Sequence, residues 1–74
     1  MKVYSIAYKT SYSMPTNYIV AAETEAAALA IAFSNECGTF LDGTPCKPSL
    51  SDFSQPTEII GVYARTSGIK SKLN

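Results

Sequence analysis

The residues of this chain that could do chemistry are few: Cys37 and Cys46, the acids Asp42, Asp52 and Glu58, and five tyrosines, with no histidine anywhere in 74 residues. The missing imidazole removes the usual general base, the usual activator of a serine or cysteine nucleophile and the commonest metal ligand together. Two cysteines need carboxylates to complete a zinc site, and the acids do not fall at the spacing of a calcium loop, so no metal is expected. No glycine-rich phosphate cradle occurs, because Asp42-Gly43 reads as a turn, so no nucleotide or other cofactor is expected. Paired acids could do acid and base work without histidine, but nothing in the spacing of Asp42, Asp52 and Glu58 argues for it, and acids on a loop ordinarily solvate it. A disulfide between Cys37 and Cys46 would be worth about 2 to 3 kcal/mol, whereas a reducing compartment leaves it open. Cys37 is expected as a free, buried thiol on a helix face, with nothing nearby to lower its pKa. The chain therefore reads as a non-enzymatic protein.

The tyrosines carry the strongest remaining signal. Tyr4, Tyr8, Tyr12, Tyr18 and Tyr63 lie in or beside strand-like segments, and tyrosine suits interfaces because a large rigid ring comes with a polar tip. Tyr4 and Tyr8 can equally pack in a core. A tyrosine face near Lys9 and Arg65 could also stack the bases of single-stranded nucleic acid. The charge is nil overall but unevenly placed: Glu23, Glu25, Glu36, Asp42, Asp52 and Glu58 all lie between positions 23 and 58, while Lys2, Lys9, Arg65, Lys70 and Lys72 sit near the two ends. A zero balance argues against a dedicated polyelectrolyte binder.

The elements that must position these groups centre on residues 17–38, NYIVAAETEAAALAIAFSNECG, which reads as a strand passing into a single helix. Thr24 suits the N-cap, and Glu23 and Glu25 place negative charge at the positive end of the helix dipole. Ala26, Leu29, Ala30, Phe33 and Cys37 recur at the spacing of one helical face, leaving Ile31 outside it, and Gly38 suits a left-handed helix end. Residues 2–12 alternate, with Tyr4, Ile6, Tyr8, Thr10 and Tyr12 on one side, and residues 13–17 form a turn into the second strand. A short strand over 39–41 closes at Asp42-Gly43. A proline-rich loop over 44–56 is pinned by Leu50 and Phe53, and residues 57–65 form a last strand in which Gly61 marks either a bulge or close packing against another element.

The order β-β-α-β-β predicts an α+β fold, a small antiparallel sheet with one helix packed on one face. It would form a single domain over 1–65, with 66–74 as a flexible basic tail. A domain of this length buries only about 60% of the surface its unfolded chain exposes, so a homodimer is one available source of added stability. No apolar run reaches the roughly 20 residues of a membrane span and no leader pattern is visible at Met1, so a cytoplasmic setting is expected.

The strand-to-helix stretch YIVAAETEAAALAIAFS resembles a pattern found in many very small α+β proteins of phages and plasmids. It is similar to the two-strand, one-helix layout of several anti-CRISPR proteins, and more loosely to the N-terminal domain of HicB-type antitoxins and to the DpnD/PcfM-like mobile-element family. The likeness covers about a third of the chain, departs from HicB in lacking a DNA-binding segment after the sheet, and transfers no functional residue. It implies an inhibitor in a bacterial cell that blocks a larger nucleic-acid-handling complex, such as a CRISPR effector, by protein contact. The partner-binding candidates are Tyr8, Tyr12, Tyr18 and Tyr63, with Glu23, Glu25, Glu36, Asp42 and Asp52 positioned to occupy a basic groove by charge complementarity. One alternative is a small nucleic-acid-binding or antitoxin-type regulator using Lys9, Arg65, Lys70 and Lys72. A second is a structural subunit that assembles through its tyrosines.

Overall fold

Alternating apolar residues in two strands joined by a turn leave one face that only a helix can cover, and the chain folds accordingly. The computed structural model describes residues 1–11 and 14–73. Strands β1 (Lys2–Tyr8) and β2 (Thr16–Ala22) form an antiparallel hairpin in continuous register, from Lys2 opposite Ala22 to Tyr8 opposite Thr16. Helix α1 (Glu25–Glu36) follows. Strands β3 (Gly38–Thr39) and β4 (Pro45–Cys46) make a separate small ribbon, a 3-10 turn spans Leu50–Asp52, and β5 (Thr57–Tyr63) and β6 (Gly68–Leu73) complete the chain. The main sheet is antiparallel in the order β5-β1-β2-β6. One helix on a small antiparallel sheet is the α+β class expected.

Two strands differ from expectation. The short strand after the helix pairs only with β4, through Gly38 opposite Cys46 and Thr39 opposite Pro45, and takes no place in the main sheet. The fourth strand is instead the segment expected as a flexible tail. β6 pairs with β2 from Asn17 opposite Leu73 to Ala21 opposite Gly68, with Lys70 as the extra residue of a bulge. The segment is polar because it is an edge strand, held by backbone pairing, by Ile69 against the core and by Lys72, whose ammonium lies 3.4 Å from Glu36 and 5.5 Å from the centre of the Tyr18 ring. Charged side chains on an edge also discourage pairing with other chains.

The core lies between helix and sheet: Tyr4, Ile6, Tyr18, Val20 and Ala22 from the strands, Ala28 and Ala32 from the helix, and Phe53 from the loop. Thr24 caps the helix as expected, its hydroxyl accepting from the Ala27 N–H at 3.1 Å. The seating is not as expected. Ala28 and Ala32, four apart, are fully buried, while Ala26, Ala30 and Cys37 are exposed and Leu29, Phe33 and Ile31 are half-buried around the seam. The strands already supply bulk in Tyr4, Ile6, Tyr18 and Val20, so close packing favours the smallest helix residues opposite them. The helix end differs too: Gly38 lacks a positive φ, and Cys37 ends the helix in extended geometry with its N–H donating to the Ser34 carbonyl.

The sheet face away from the helix is closed at one end and open at the other. Val3 and Ala21, opposite each other on that face, are buried. They sit where residues 64–67 cross the ends of β1 and β2 on the way from one sheet edge to the other, an end tied down by the Met1 amino group donating to the Ala64 carbonyl at 3.0 Å. Further along, Ser5 and Ile19 are half-buried and Ala7 and Asn17 exposed. Of the two residues expected to pin the loop, Phe53 is buried and Leu50 is exposed, and Pro56 is buried as well. Residues 52–54 continue the line of β5 along β1: the Lys9 N–H donates to the Asp52 carbonyl at 3.0 Å and the Ser54 N–H to the Ala7 carbonyl at 2.8 Å. Among the described residues no helix is long and apolar enough to cross a membrane.

Candidate functional site

The tyrosines divide by position along the strands. Tyr4 and Tyr18 point under the helix and are buried, so Tyr18 is a core residue and not a partner-binding one. Its hydroxyl accepts from Asn35 Nδ2 at 3.0 Å, which satisfies the one polar atom it takes inside. Tyr8, at the end of β1, is half-buried against Phe53, with ring centroids 4.6 Å apart and tilted by 42°, and Phe33 adds a second ring 6.0 Å from Phe53. Burial, and then Glu36, Asp52 and the Cys46 thiol, push the Tyr8 phenol above its ordinary range, against a smaller downward pull from Lys72. Tyr12 lies outside the described residues. Tyr63, at the end of β5, is 71% exposed.

The acids do not form one surface. Glu23 and Glu25 stand at the start of α1, where Gln55 Nε2 donates to Glu25 Oε2 at 3.3 Å. Glu36 is at the other end of α1, tied to Lys72. Asp42 accepts the Thr44 N–H at 2.9 Å and so shapes the β3–β4 turn, the bond that holds its carboxyl below the usual range. Asp52, in the 3-10 turn, is half-buried, and Glu58 on β5 lies 3.6 Å from Lys2. The bases are just as dispersed: Lys9 follows one end of β1, Arg65 sits by the other end, and Lys70 and Lys72 are on β6 at the opposite edge of the sheet from β5. The strand rise over β1 alone separates Lys9 from Arg65 by roughly 20 Å. Cys37 is exposed rather than buried and free, its thiol donating to the Phe33 carbonyl at 3.4 Å, and Cys46 is also free. The alanine seam turned Cys37 outward. Among the described residues no three histidine, cysteine, aspartate or glutamate side chains gather closely enough to hold a metal ion.

What the fold does bring together is an exposed apolar edge on β5. Ile60 is 81% exposed, Val62 44% and Tyr63 71%, three consecutive large side chains broken only by Gly61. Alternation predicts Ile60 and Val62 on one sheet face and Tyr63 on the other, which would bury part of the set. The register against β1 instead jumps between Lys2 opposite Tyr63 and Tyr4 opposite Glu58, so β5 carries extra residues there, and Gly61 takes φ +85 to make the bend. Only glycine adopts that conformation readily. The bulge was legible from Gly61, but its consequence for Ile60 and Val62 was not, because a bulge breaks the two-residue period on which face assignment depends.

β5 is an outer strand of the sheet, with β1 its one strand neighbour among the described residues, and its far edge carries backbone groups outside the ladder. The bulge interrupts that edge, which disfavours strand addition and leaves contact through side chains. Two or three aliphatic and aromatic side chains on a fixed strand form the type of rigid anchor that fills a partner's pocket. Comparison with protein-family models, with curated proteins and with solved structures finds no match to this chain.

Proposed function

We propose that this chain is a non-enzymatic binding protein that docks on a larger protein assembly through the bulged edge of β5. The observation that carries the reading is the run Ile60, Val62 and Tyr63, large apolar side chains left outside the core by the positive-φ bulge at Gly61. Fully burying a large apolar side chain is worth roughly 1.5 to 3 kcal/mol. A chain this small forgoes most of that at Ile60 and Tyr63 and about half at Val62, a loss that contact with a partner recovers. The concrete form is an inhibitor of mobile-element origin that blocks a nucleic-acid-handling complex such as a CRISPR effector, a form supported by the resemblance of the strand-to-helix stretch. The scattered acids give less support to mimicry of a phosphate path, since Glu25, Glu36, Asp42 and Glu58 all have partners within the chain. Plasmid interference in cells carrying one effector type at a time tests the reading. The wild-type chain protects the targeted plasmid against one type, and the Ile60→Ser, Tyr63→Ala double variant does not. No protection against any type removes the anti-CRISPR form, and protection untouched by the double substitution removes the β5 edge.

A further inference from the structure

The turn between β3 and β4 contains a pair of residues that can react with no partner but water. Asp42 is followed by Gly43, whose amide nitrogen has no side chain beside it to shield it from the neighbouring carboxyl. When that nitrogen attacks Cγ of Asp42 it gives up its proton, the carboxyl loses an oxygen as water, and a five-membered succinimide remains. Water then opens the ring. Cleavage at the Cγ carbonyl restores aspartate, whereas cleavage at the main-chain carbonyl leaves isoaspartate, in which the chain runs through the side-chain carbon. One water is lost and one is gained, so the mass is unchanged.

The folded turn opposes the attack. The Gly43 N–H donates to the Phe40 carbonyl at 2.9 Å, the Phe40 N–H donates to the Thr44 carbonyl at 2.8 Å, and Gly43 takes φ +89. This is the pattern of a three-residue hairpin loop closed by a glycine bulge. Asp42 then stands at the third position of a type I turn, where ψ is about 0° and the Gly43 nitrogen is rotated away from the side-chain arm it would have to close on. A further restraint acts on the carboxyl: the Thr44 N–H donates to Asp42 Oδ1 at 2.9 Å and turns the group toward residue 44. The same bond holds the carboxyl below its ordinary range, so the protonated form from which an oxygen leaves is scarcer. Water is not limiting, since Asp42 and Gly43 are exposed and Leu41 beside them fully so.

We infer that Asp42-Gly43 is a site of spontaneous covalent modification that the β3–β4 turn keeps closed, so that isoaspartate forms at position 42 only in molecules whose turn has opened. β3 and β4 share two residue pairs and take no place in the main sheet, so the ribbon can open without unfolding the core. The change is one-way for the ribbon. Isoaspartate adds a main-chain carbon to a loop whose hydrogen bonds fit three residues, and the pairing of Gly38 with Cys46 is lost.

Incubation of the whole chain at neutral pH and physiological temperature, with and without guanidinium chloride, tests this. Peptide mapping with electron-transfer fragmentation distinguishes isoaspartate from aspartate at position 42. Each turn hydrogen bond favours the closed form by roughly fivefold, so the three together make isoaspartate form on the order of a hundredfold more slowly in the folded chain than in denaturant. Thr44→Pro removes the donor to Asp42 at a position that Pro45 already confines to extended backbone. It raises the folded-state rate by about fivefold and leaves the rate in denaturant unchanged. Equal rates for the folded and unfolded wild-type chain overturn the protection by the turn, and that comparison decides the matter should Thr44→Pro fail to fold. No isoaspartate in denaturant overturns the site itself, and a folded Thr44→Pro chain with the wild-type rate overturns the restraint on the carboxyl. None of these residues belongs to the β5 edge, so failure here leaves the docking reading standing.

Discussion

Replacing Ala32 by leucine, with Ala30→Leu as its counterpart two residues away, separates the two faces of α1. Ala32 is fully buried between the helix and the side chains of the sheet, whereas Ala30 is exposed on the outer side of the helix. Leucine and alanine differ little in helix propensity, so the contrast reports packing. A leucine forced into the seam must lift the helix or displace Tyr18 and Val20, an overpacking cost of about 1 to 3 kcal/mol. At position 30 the added carbons enter open space, and the change stays within about 0.5 kcal/mol. A domain of this size holds only about 3 to 5 kcal/mol in reserve, and each kcal/mol lost lowers the melting temperature by roughly 4 to 8 °C. Urea unfolding followed by far-ultraviolet circular dichroism reads the difference directly. Equal losses at the two positions, or no loss at 32, would refute the seating of the helix on its alanine seam.

Deleting residues 68–74 removes β6, its pairing to β2, the Ile69 contact and the Lys72–Glu36 pair. That loss exceeds the small reserve of the domain, so the truncated chain lacks a cooperative unfolding transition, and a normal transition would show that β6 is dispensable. Alkaline pH provides the other test. Because Tyr8 has a folded-state pKa above its unfolded value, its protonated form contributes stability that is present below the ordinary phenol range and is lost as pH rises through the raised value. Tyr8→Phe removes this alkaline loss, and an unchanged dependence of stability on pH in that variant would count against the assignment.

Much of the fold was legible because its signals are local. The alternation in β1, the cap at Thr24, the turn at Asp42-Gly43 and the bulge at Gly61 each depend on a few neighbouring residues, and each is found in the structure. The tertiary choices were not. Nothing in AAALAIAF distinguishes the Ala28/Ala32 face from the Leu29/Phe33 face, because both are apolar and the decision depends on the bulk the sheet already supplies. β6 reads as a tail because its partner β2 lies some fifty residues earlier in the chain and its outward side chains are polar. Of the candidate site, Tyr63 was named from sequence. Ile60 and Val62 were hidden by the two-residue period that the bulge breaks, and Tyr18 was misplaced because a tyrosine whose hydroxyl finds Asn35 is as much at home in the core as at an interface.

The most direct measurement of the docking reading is the mass of the complex formed when the chain is mixed with purified effector assemblies, read by light scattering for wild type and for the Ile60→Ser, Tyr63→Ala variant. One assembly should gain the mass of a whole number of wild-type chains and none of the variant. A wild-type chain that leaves every assembly unchanged, or a variant that binds as well as wild type, would contradict the account.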